Sequence, residues 1–322
     1  MTQLGEAVAI GVFVGDDKTH SKSTCPWHAE DENASADPME EQLVDEDSHG
    51  PIPANMGKKL GDNMKKAGDT PPAADKVEIA FKAGTTVAFT QAGKKKKVQT
   101  YEEVTTEVFE YPLQYAPHHL IPGNESLKGS KVLVYMGAES VISKYEPPGA
   151  SKIKDGKSIG YDVNAAANGV WLPSPYALSN SNKWPSQDGL KVVLQRLGQV
   201  VVDETESFKS AYVAASIEVS GHRQFHMRHE DYSYKVQEIL DAMGNKIKLL
   251  SSKCPVADGG EDDGKFDPPV GLKTKLDGLS ARMRSLLIGA VWRPPFFTDD
   301  LSQEYAGTLK KVRRSARKLK VM

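Results

Sequence analysis

The sequence contains only two cysteines, and they are far apart. Cys25 and Cys254 form no recognisable metal or redox spacing, which fits a protein that matures in a reducing cytosol. The string Cys25-Pro-Trp-His28 offers two metal ligands, but no second pair lies near it in the sequence. We therefore expect this string to be structural or disordered, and we expect no disulfide.

Long apolar runs are also lacking. No stretch approaches the roughly 18 continuous apolar residues of a membrane span. The short apolar run at residues 7–14 follows Glu6 instead of a positive flank, and no small-residue cleavage pattern comes after it. The sequence therefore predicts neither a membrane span nor an ordinary signal peptide.

Net charge is almost absent, but the charges are unevenly distributed. The formal net charge is -2, which excludes a global attraction for nucleic acid or for anionic membranes. Residues 30–47 hold nine carboxylates and no Lys or Arg, whereas residues 310–320 hold seven Lys or Arg and no carboxylate. This basic run is a candidate phosphate-binding tail, and a solvated basic end is the alternative interpretation. Its candidate nucleic-acid-binding residues are Lys310, Lys311, Arg313, Arg314 and Arg317.

Apolar spacing predicts strands in the first half of the chain and helices in the second, which is an α+β fold. Alternation indicates strands over Val77–Phe81, Thr85–Thr90 and Val104–Leu113, with an exposed turn at Lys94–Lys97. Spacings of three and four indicate helices around Phe208–Ala215, Tyr232–Leu250 and Leu272–Leu286. We expect the first of these helices to stop near Gly221.

Composition divides the chain into three predicted segments. Residues 1–76 are acidic and rich in Pro, Gly, Asn and Ser, so we expect them to be partly irregular. Residues 77–255 hold the predicted strands, most of the histidines and the longest helix. Residues 256–322 hold a further helix and the basic tail.

The histidines give the main indication of chemical function in this sequence. Five of the eight fall in two groups, the doublet His118-His119 and the cluster His222, His226 and His229. Neutral imidazole is the commonest metal ligand and also serves as a general base near neutral pH. Adjacent residues on an extended segment point to opposite sides, so one ring of the doublet can face a metal ion while the other faces a reacting water. The remaining histidines, His20, His28 and His49, are expected to be structural or at the surface.

Three strings occur in a fixed order around these histidines. They are His118-His-Leu-Ile-Pro-Gly-Asn-Glu-Ser-Leu127, Ile159-Gly-Tyr-Asp-Val-Asn-Ala-Ala-Ala-Asn-Gly-Val-Trp-Leu-Pro173 and Arg223-Gln-Phe-His-Met-Arg-His-Glu-Asp-Tyr232. In this order they resemble the AHH family of predicted toxin nucleases, which belongs to the HNH/endonuclease VII superfamily. Pro117 stands where the family's name expects Ala.

The resemblance implies a role for each matching residue. His118 would bind a metal ion, and His119 would be the general base that activates water. Asn168 would orient the His119 side through a hydrogen bond to backbone, although Asn168-Gly169 is also a turn signal. His226 and His229 would complete the metal site.

His222 is an alternative metal ligand, because it stands four residues before His226. Imidazole ligands suit Zn²⁺ or Ni²⁺, while the family is often active with Mg²⁺ or Mn²⁺. We therefore expect one divalent ion and leave its identity open. The implied fold is a ββα-metal (His-Me finger) nuclease core within residues 77–255, with added strands and C-terminal helices.

The implied activity is that of a metal-dependent endonuclease toxin that cuts DNA, with RNA as the second choice. Many relatives are effectors of interbacterial secretion systems, notably type VI. We therefore expect synthesis in a bacterial cytoplasm without a signal peptide, then secretion and action in the cytoplasm of a competing cell. Residues 1–76 would contact a secretion carrier or adaptor, and a cognate immunity protein would be a partner.

Two other classes of function stay open from the sequence. The first is a non-catalytic protein whose histidines hold a structural zinc ion in a closed four-ligand site and whose basic tail binds nucleic acid. The second is a zinc hydrolase of another substrate, such as a cell-wall amide. The missing signal peptide and the lack of an obvious Glu base beside the histidines disfavour it.

Overall fold

Helices and short antiparallel sheets together form the fold, so the α+β prediction is confirmed. The computed structural model describes residues 25–28, 56–88, 100–137, 151–154, 157–180, 183–196, 205–227, 230–257, 265–269, 271–289, 292 and 296–307. Helix α1 (Gly57–Lys66) precedes strands β1 (Lys76–Ala88), β2 (Thr100–Pro112), β3 (Gln114–His119) and β4 (Gly169–Ser174). The later helices are α2 (Tyr176–Ser179), α3 (Gln187–Arg196), α4 (Thr205–Val219), α5 (Glu230–Ser251) and α6 (Gly271–Ile288).

The strands form two antiparallel pairs. β1 pairs with β2 along its whole length, and β3 pairs with β4 so that His119 lies opposite Gly169. The strands predicted on either side of residue 83 are one continuous strand, β1, while residues 89–99 and the lysine turn lie outside the described residues. Only Leu113 separates β2 from β3, so the long first pair leads directly into the histidine doublet.

The three predicted helices are confirmed as α4, α5 and α6, and α4 ends shortly before Gly221 as expected. Each buries the apolar face that predicted it, such as Ile239 and Leu240 of α5, which are fully buried. Of the helices that the structure describes, none combines the length and apolar character needed to cross a bilayer.

Helix α1 lies near the end of the first predicted segment, which was expected to be partly irregular. Its two large apolar residues, Leu60 and Met64, lie one turn apart and are fully buried against Trp171 of β4. Gly169 permits this contact, because a Cβ atom there would collide with the Met64 side chain. Two apolar residues among glycines and lysines give a weak periodic signal, and packing on β4 stabilises the helix.

The main core joins parts of the chain that are distant in sequence. It contains Trp27 from the turn at residues 25–28, Leu240 of α5 and Leu276 of α6. A second core lies between β1, the end of β2 and α4, with Tyr111 against Phe208 at a ring-centroid distance of 4.9 Å. The main core thus draws on all three predicted segments, whose boundaries stay a prediction.

Gly244 allows α5 to approach the backbone of Lys131, and this contact is testable. A Cβ at position 244 would lie 2.5 Å from the Lys131 carbonyl carbon, whereas a Cβ at Gly278 in α6 would meet nothing within 4 Å. We expect Gly244→Ala to lower the free energy of unfolding by about 1–3 kcal/mol, because the backbone must shift. The matched variant Gly278→Ala should leave it unchanged or raise it by up to about 1 kcal/mol. Urea denaturation measures both, and equal effects of the two variants would contradict the close approach.

Candidate active site

A cleft of about 570 Å³ opens beside the end of β3. Three histidines, His118, His119 and His226, and two carboxylates, Glu125 and Glu230, contribute to its lining. The described lining residues include no Lys or Arg. The structure thus brings three of the sequence-predicted site residues to one cavity, together with two acidic groups.

The β3–β4 pair and helix α5 position His118. Its backbone lies opposite Val170 of β4, and its side chain is only 1% exposed. The ring contacts His226 at a centroid distance of 5.2 Å and Tyr232 of α5 at 5.1 Å. Tyr232 in turn donates its hydroxyl to the Leu120 carbonyl at 2.8 Å, which fastens α5 to the chain directly after the doublet.

His226 lies on an extended segment between α4 and α5. Its backbone N–H donates to the Pro173 carbonyl at the end of β4 at 2.7 Å. Two residues earlier, the Gln224 side chain donates to the Phe296 carbonyl at 3.0 Å and accepts from the Thr298 N–H at 2.9 Å. The end of β4 and a segment close to the C-terminus together hold this histidine at the cleft.

The other two histidines of the cluster are not part of the described cleft. Gly221 and His222 both adopt positive φ angles, 73° and 65°, and they turn the chain after α4. His222 is exposed and does not line the cleft. His229 lies outside the described residues, as does the whole basic tail from Lys310 to Arg317.

Asn164 orients the ring of His119. Its Oδ1 accepts the backbone N–H of Met56 at 3.1 Å, just before α1, and lies 3.0 Å from His119 Nε2. Because the Met56 N–H identifies this atom as the carboxamide oxygen, His119 Nε2 must be the protonated nitrogen. His119 Nδ1 is then the nitrogen that can accept a proton.

Burial keeps the His119 ring neutral. The side chain is 8% exposed, and desolvation lowers the pKa of His119 below its ordinary value of 6.5. The hydrogen bond to Asn164 and the charges of Glu125 and Asp162 act in the opposite direction and do not cancel the effect of burial. A neutral ring with one defined acceptor nitrogen is the state that a general base requires.

Asn168 fixes the chain that follows the doublet and does not line the cleft. Its Oδ1 accepts the Ile121 N–H at 2.8 Å and the Ser280 hydroxyl at 3.0 Å. Its Nδ2 donates to the carbonyls of Ile121 at 3.0 Å and Val163 at 2.8 Å. The side chain is fully buried, and its contacts are of the predicted kind, hydrogen bonds to the backbone close to His119.

Asn164 was not among the predicted site residues, although it lies four residues before Asn168 in the same string. Asn164 touches the His119 ring, whereas Asn168 holds the backbone. The short 3₁₀ turn Ala166–Asn168 begins two residues after Asn164 and ends at Asn168. The local signal for Asn164 is Asp162, whose side chain accepts the Asn164 N–H at 2.8 Å in a turn.

The pair His118 and His226 fits one divalent ion. Two imidazoles that share an ion at metal–nitrogen distances of about 2.1 Å and near-tetrahedral angles have centroids roughly 5 Å apart. The observed 5.2 Å agrees with this arrangement, and edge-to-face packing of the rings produces the same distance. The described cleft therefore brings together two of the three predicted ligands, and the third, His229, lies outside the described residues.

A group of three potential metal ligands lies elsewhere, at Cys25, His28 and Cys254. One donor atom from each lies within 4.8 Å of the other two, and no other such group of three or more occurs in the described part of the chain. Cys25-Pro-Trp-His28 has no partner near it in the sequence, and the fold brings Cys254 to it from a distant part of the chain. The turn is folded and brings its two donors to Cys254.

Comparison of the chain with protein-family models, with curated proteins and with solved structures gave no match.

The Asn164–His119 contact predicts the direction of a titration. In the wild type we expect the His119 ring to titrate below pH 6.5, because burial dominates. Since the folded state then binds this proton less readily than the unfolded chain, the free energy of unfolding should fall as the pH drops from 6.5 to the folded pKa. Asn164→Asp should raise the pKa of His119, because a carboxylate beside Nε2 favours the imidazolium.

Two-dimensional NMR of the histidine rings as a function of pH measures these midpoints. Asn245→Asp is the matched control, because Asn245 is exposed on α5 and does not line the cleft. It should leave the His119 midpoint unchanged. A wild-type midpoint at or above 6.5, or equal effects of the two substitutions, would contradict the arrangement described.

Proposed function

We propose that this protein is a metal-dependent endonuclease that hydrolyses phosphodiester bonds, with DNA as the preferred polymer. The observation that carries the proposal is the His119 ring. It is neutral, it has a defined tautomer, and it lies on a cleft wall beside the paired rings of His118 and His226.

His119 is the general base of the proposed reaction. Asn164 holds the proton on Nε2, so Nδ1 is the nitrogen that accepts a proton from the attacking water. Asn168 acts as a positioning residue, because it holds the chain around Ile121 and leaves the doublet fixed at the end of β3. The same ring can return the proton to the solvent after cleavage.

His118 and His226 are the metal ligands of the proposal, with His229 as the third. A divalent ion at this place supplies Lewis-acid stabilisation of charge on the phosphate and the leaving oxygen. Zn²⁺, Ni²⁺, Mg²⁺ and Mn²⁺ all stay open, because two imidazoles favour the first two while the nearby Glu125 and Glu230 suit the others.

The arrangement of β3, β4 and α5 supports a ββα-metal core. The antiparallel pair carries the doublet at the end of its first strand, and the His118 ring packs on Tyr232 in the first turn of α5. A segment of about fifty residues separates the two strands, and Asn168 closes its end against Ile121. The resemblance implies two antiparallel strands followed by a helix; in this chain α2, α3 and α4 lie between β4 and α5.

Substrate attraction requires positive charge that the described lining does not provide. A bound cation contributes part of it. The rest of the positive charge is proposed to come from the basic tail, at Lys310, Lys311, Arg313, Arg314 and Arg317. Each phosphate that the tail neutralises adds a salt-dependent increment to the binding free energy. The role as a secreted antibacterial toxin, with a carrier and an immunity protein, rests on the resemblance of the three strings.

The alternative function, a non-catalytic zinc protein that binds nucleic acid, requires a closed four-ligand site at the histidines. A cleft of about 570 Å³ at these residues favours an open site. A structural ion elsewhere in the molecule would be compatible with either function.

Cleavage of supercoiled plasmid tests the proposal directly. With Mg²⁺, Mn²⁺, Ni²⁺ or Zn²⁺ we expect nicking that EDTA abolishes. His119→Ala should lower the rate by about 10²- to 10⁴-fold, the usual contribution of a general base, without removing the metal bound by His118 and His226. Total RNA in parallel reactions identifies the preferred polymer.

His222→Ala is the matched control, because its ring is exposed and away from the cleft. We expect this variant to cut as fast as the wild type. Metal binding without cleavage of either polymer under any of the four ions would favour the non-catalytic alternative. Equal losses in the two histidine variants would place the chemistry outside this cleft.

A further inference from the structure

The turn at residues 25–28 and the chain after α5 approach each other with similar backbone geometry. In the first turn the His28 N–H donates to the Cys25 carbonyl at 3.0 Å, and in the second the Ala257 N–H donates to the Cys254 carbonyl at 3.1 Å. Each turn therefore begins with a cysteine. The two cysteines are only 1% and 3% exposed.

Hydrogen bonds and ring packing hold the first turn in place. Trp27 donates its indole N–H to the Asp267 carbonyl at 3.0 Å and packs edge-on against Phe266 at 6.0 Å. The Pro26 carbonyl accepts the N–H of Gly271 at 3.1 Å, at the start of α6. These contacts fix the turn, so the donor atoms of Cys25 and His28 are held beside Cys254.

We propose that Cys25, His28 and Cys254 bind a structural zinc ion that joins the N-terminal turn to the end of α5. Two thiolates and an imidazole are a donor set that suits Zn²⁺. Donors of this kind around one zinc ion lie roughly 3.5–3.8 Å apart. The three donor atoms already lie within 4.8 Å of one another, so the site needs only about 1 Å of closure to reach these separations.

The ion cross-links the turn at residues 25–28 to the chain that follows α5. Binding converts the two thiols to thiolates and releases two protons, so the site is stable at neutral pH and is lost in acid. An ion that binds the folded chain and not the unfolded one raises the free energy of unfolding. The three donors leave a fourth tetrahedral position, and a closed structural site requires one further protein ligand there.

Cobalt titration of the reduced, metal-free full-length chain tests the site apart from the histidine cleft. The described cleft lining contains no cysteine, so thiolate-to-cobalt charge-transfer absorption reports only on Cys25 and Cys254. We expect the band to saturate at one Co²⁺ per chain and to be bleached by added Zn²⁺. Cys25→Ser and Cys254→Ser should each remove at least half of its intensity.

His28→Ala should weaken Co²⁺ binding by at least about tenfold, since loss of an outer-shell partner alone costs that much. Its matched control is His222→Ala, which replaces an exposed histidine and should leave the band intact. If the cysteine variants fail to fold, X-ray absorption of His118→Ala protein with one equivalent of Zn²⁺ serves instead. It should show two sulfur neighbours at about 2.3 Å.

A reduced and folded wild type that gives no charge-transfer band would overturn the proposal. So would a disulfide between Cys25 and Cys254 in protein isolated without oxidant, because a disulfide removes both thiolate ligands. Neither result depends on nucleic-acid cleavage, so the zinc site and the proposed nuclease activity succeed or fail separately.

Discussion

A single oxygen atom, Oδ1 of Asn164, determines the chemical state of the candidate active site. It accepts both the Met56 N–H and the protonated nitrogen of His119, so the position of the His119 proton depends on a backbone amide at the start of α1. Any change that moves α1 would release the carboxamide and allow the ring to change tautomer. The acid–base behaviour of the doublet therefore depends on a helix that contributes no histidine.

Two segments far apart in the sequence hold the cleft. Helix α1 packs on β4 through Leu60 and Met64, while the segment at residues 296–298 holds Gln224 two residues before His226. The elements between them, β3, β4 and α5, bring the three rings together. Support by remote segments is the usual requirement for a site whose side chains must be held rigidly, because rotamers are locked by the packing around them.

The helices and the grouping of the histidines could be predicted from the sequence further than the geometry of the site. Helices α4 to α6 follow from apolar spacing over several turns, and the histidine doublet was conspicuous because clustered imidazoles point to metal or proton chemistry. The distinction between Asn164 and Asn168 was not predictable, because it depends on which side chain faces a helix from elsewhere in the chain. The approach of Cys254 to Cys25 was not predictable for the same reason, because residue spacing gives no information on contacts between distant segments.

These contacts join residues that are far apart in the sequence, and this determines when the cleft can form during synthesis of the chain. Met56 is translated long before Phe296 and Thr298, which hold Gln224. Contacts between residues so far apart in sequence form late, because the intervening chain must first be ordered. A nascent polypeptide therefore cannot form the contacts that hold Gln224, two residues before His226, until residue 298 has left the ribosome.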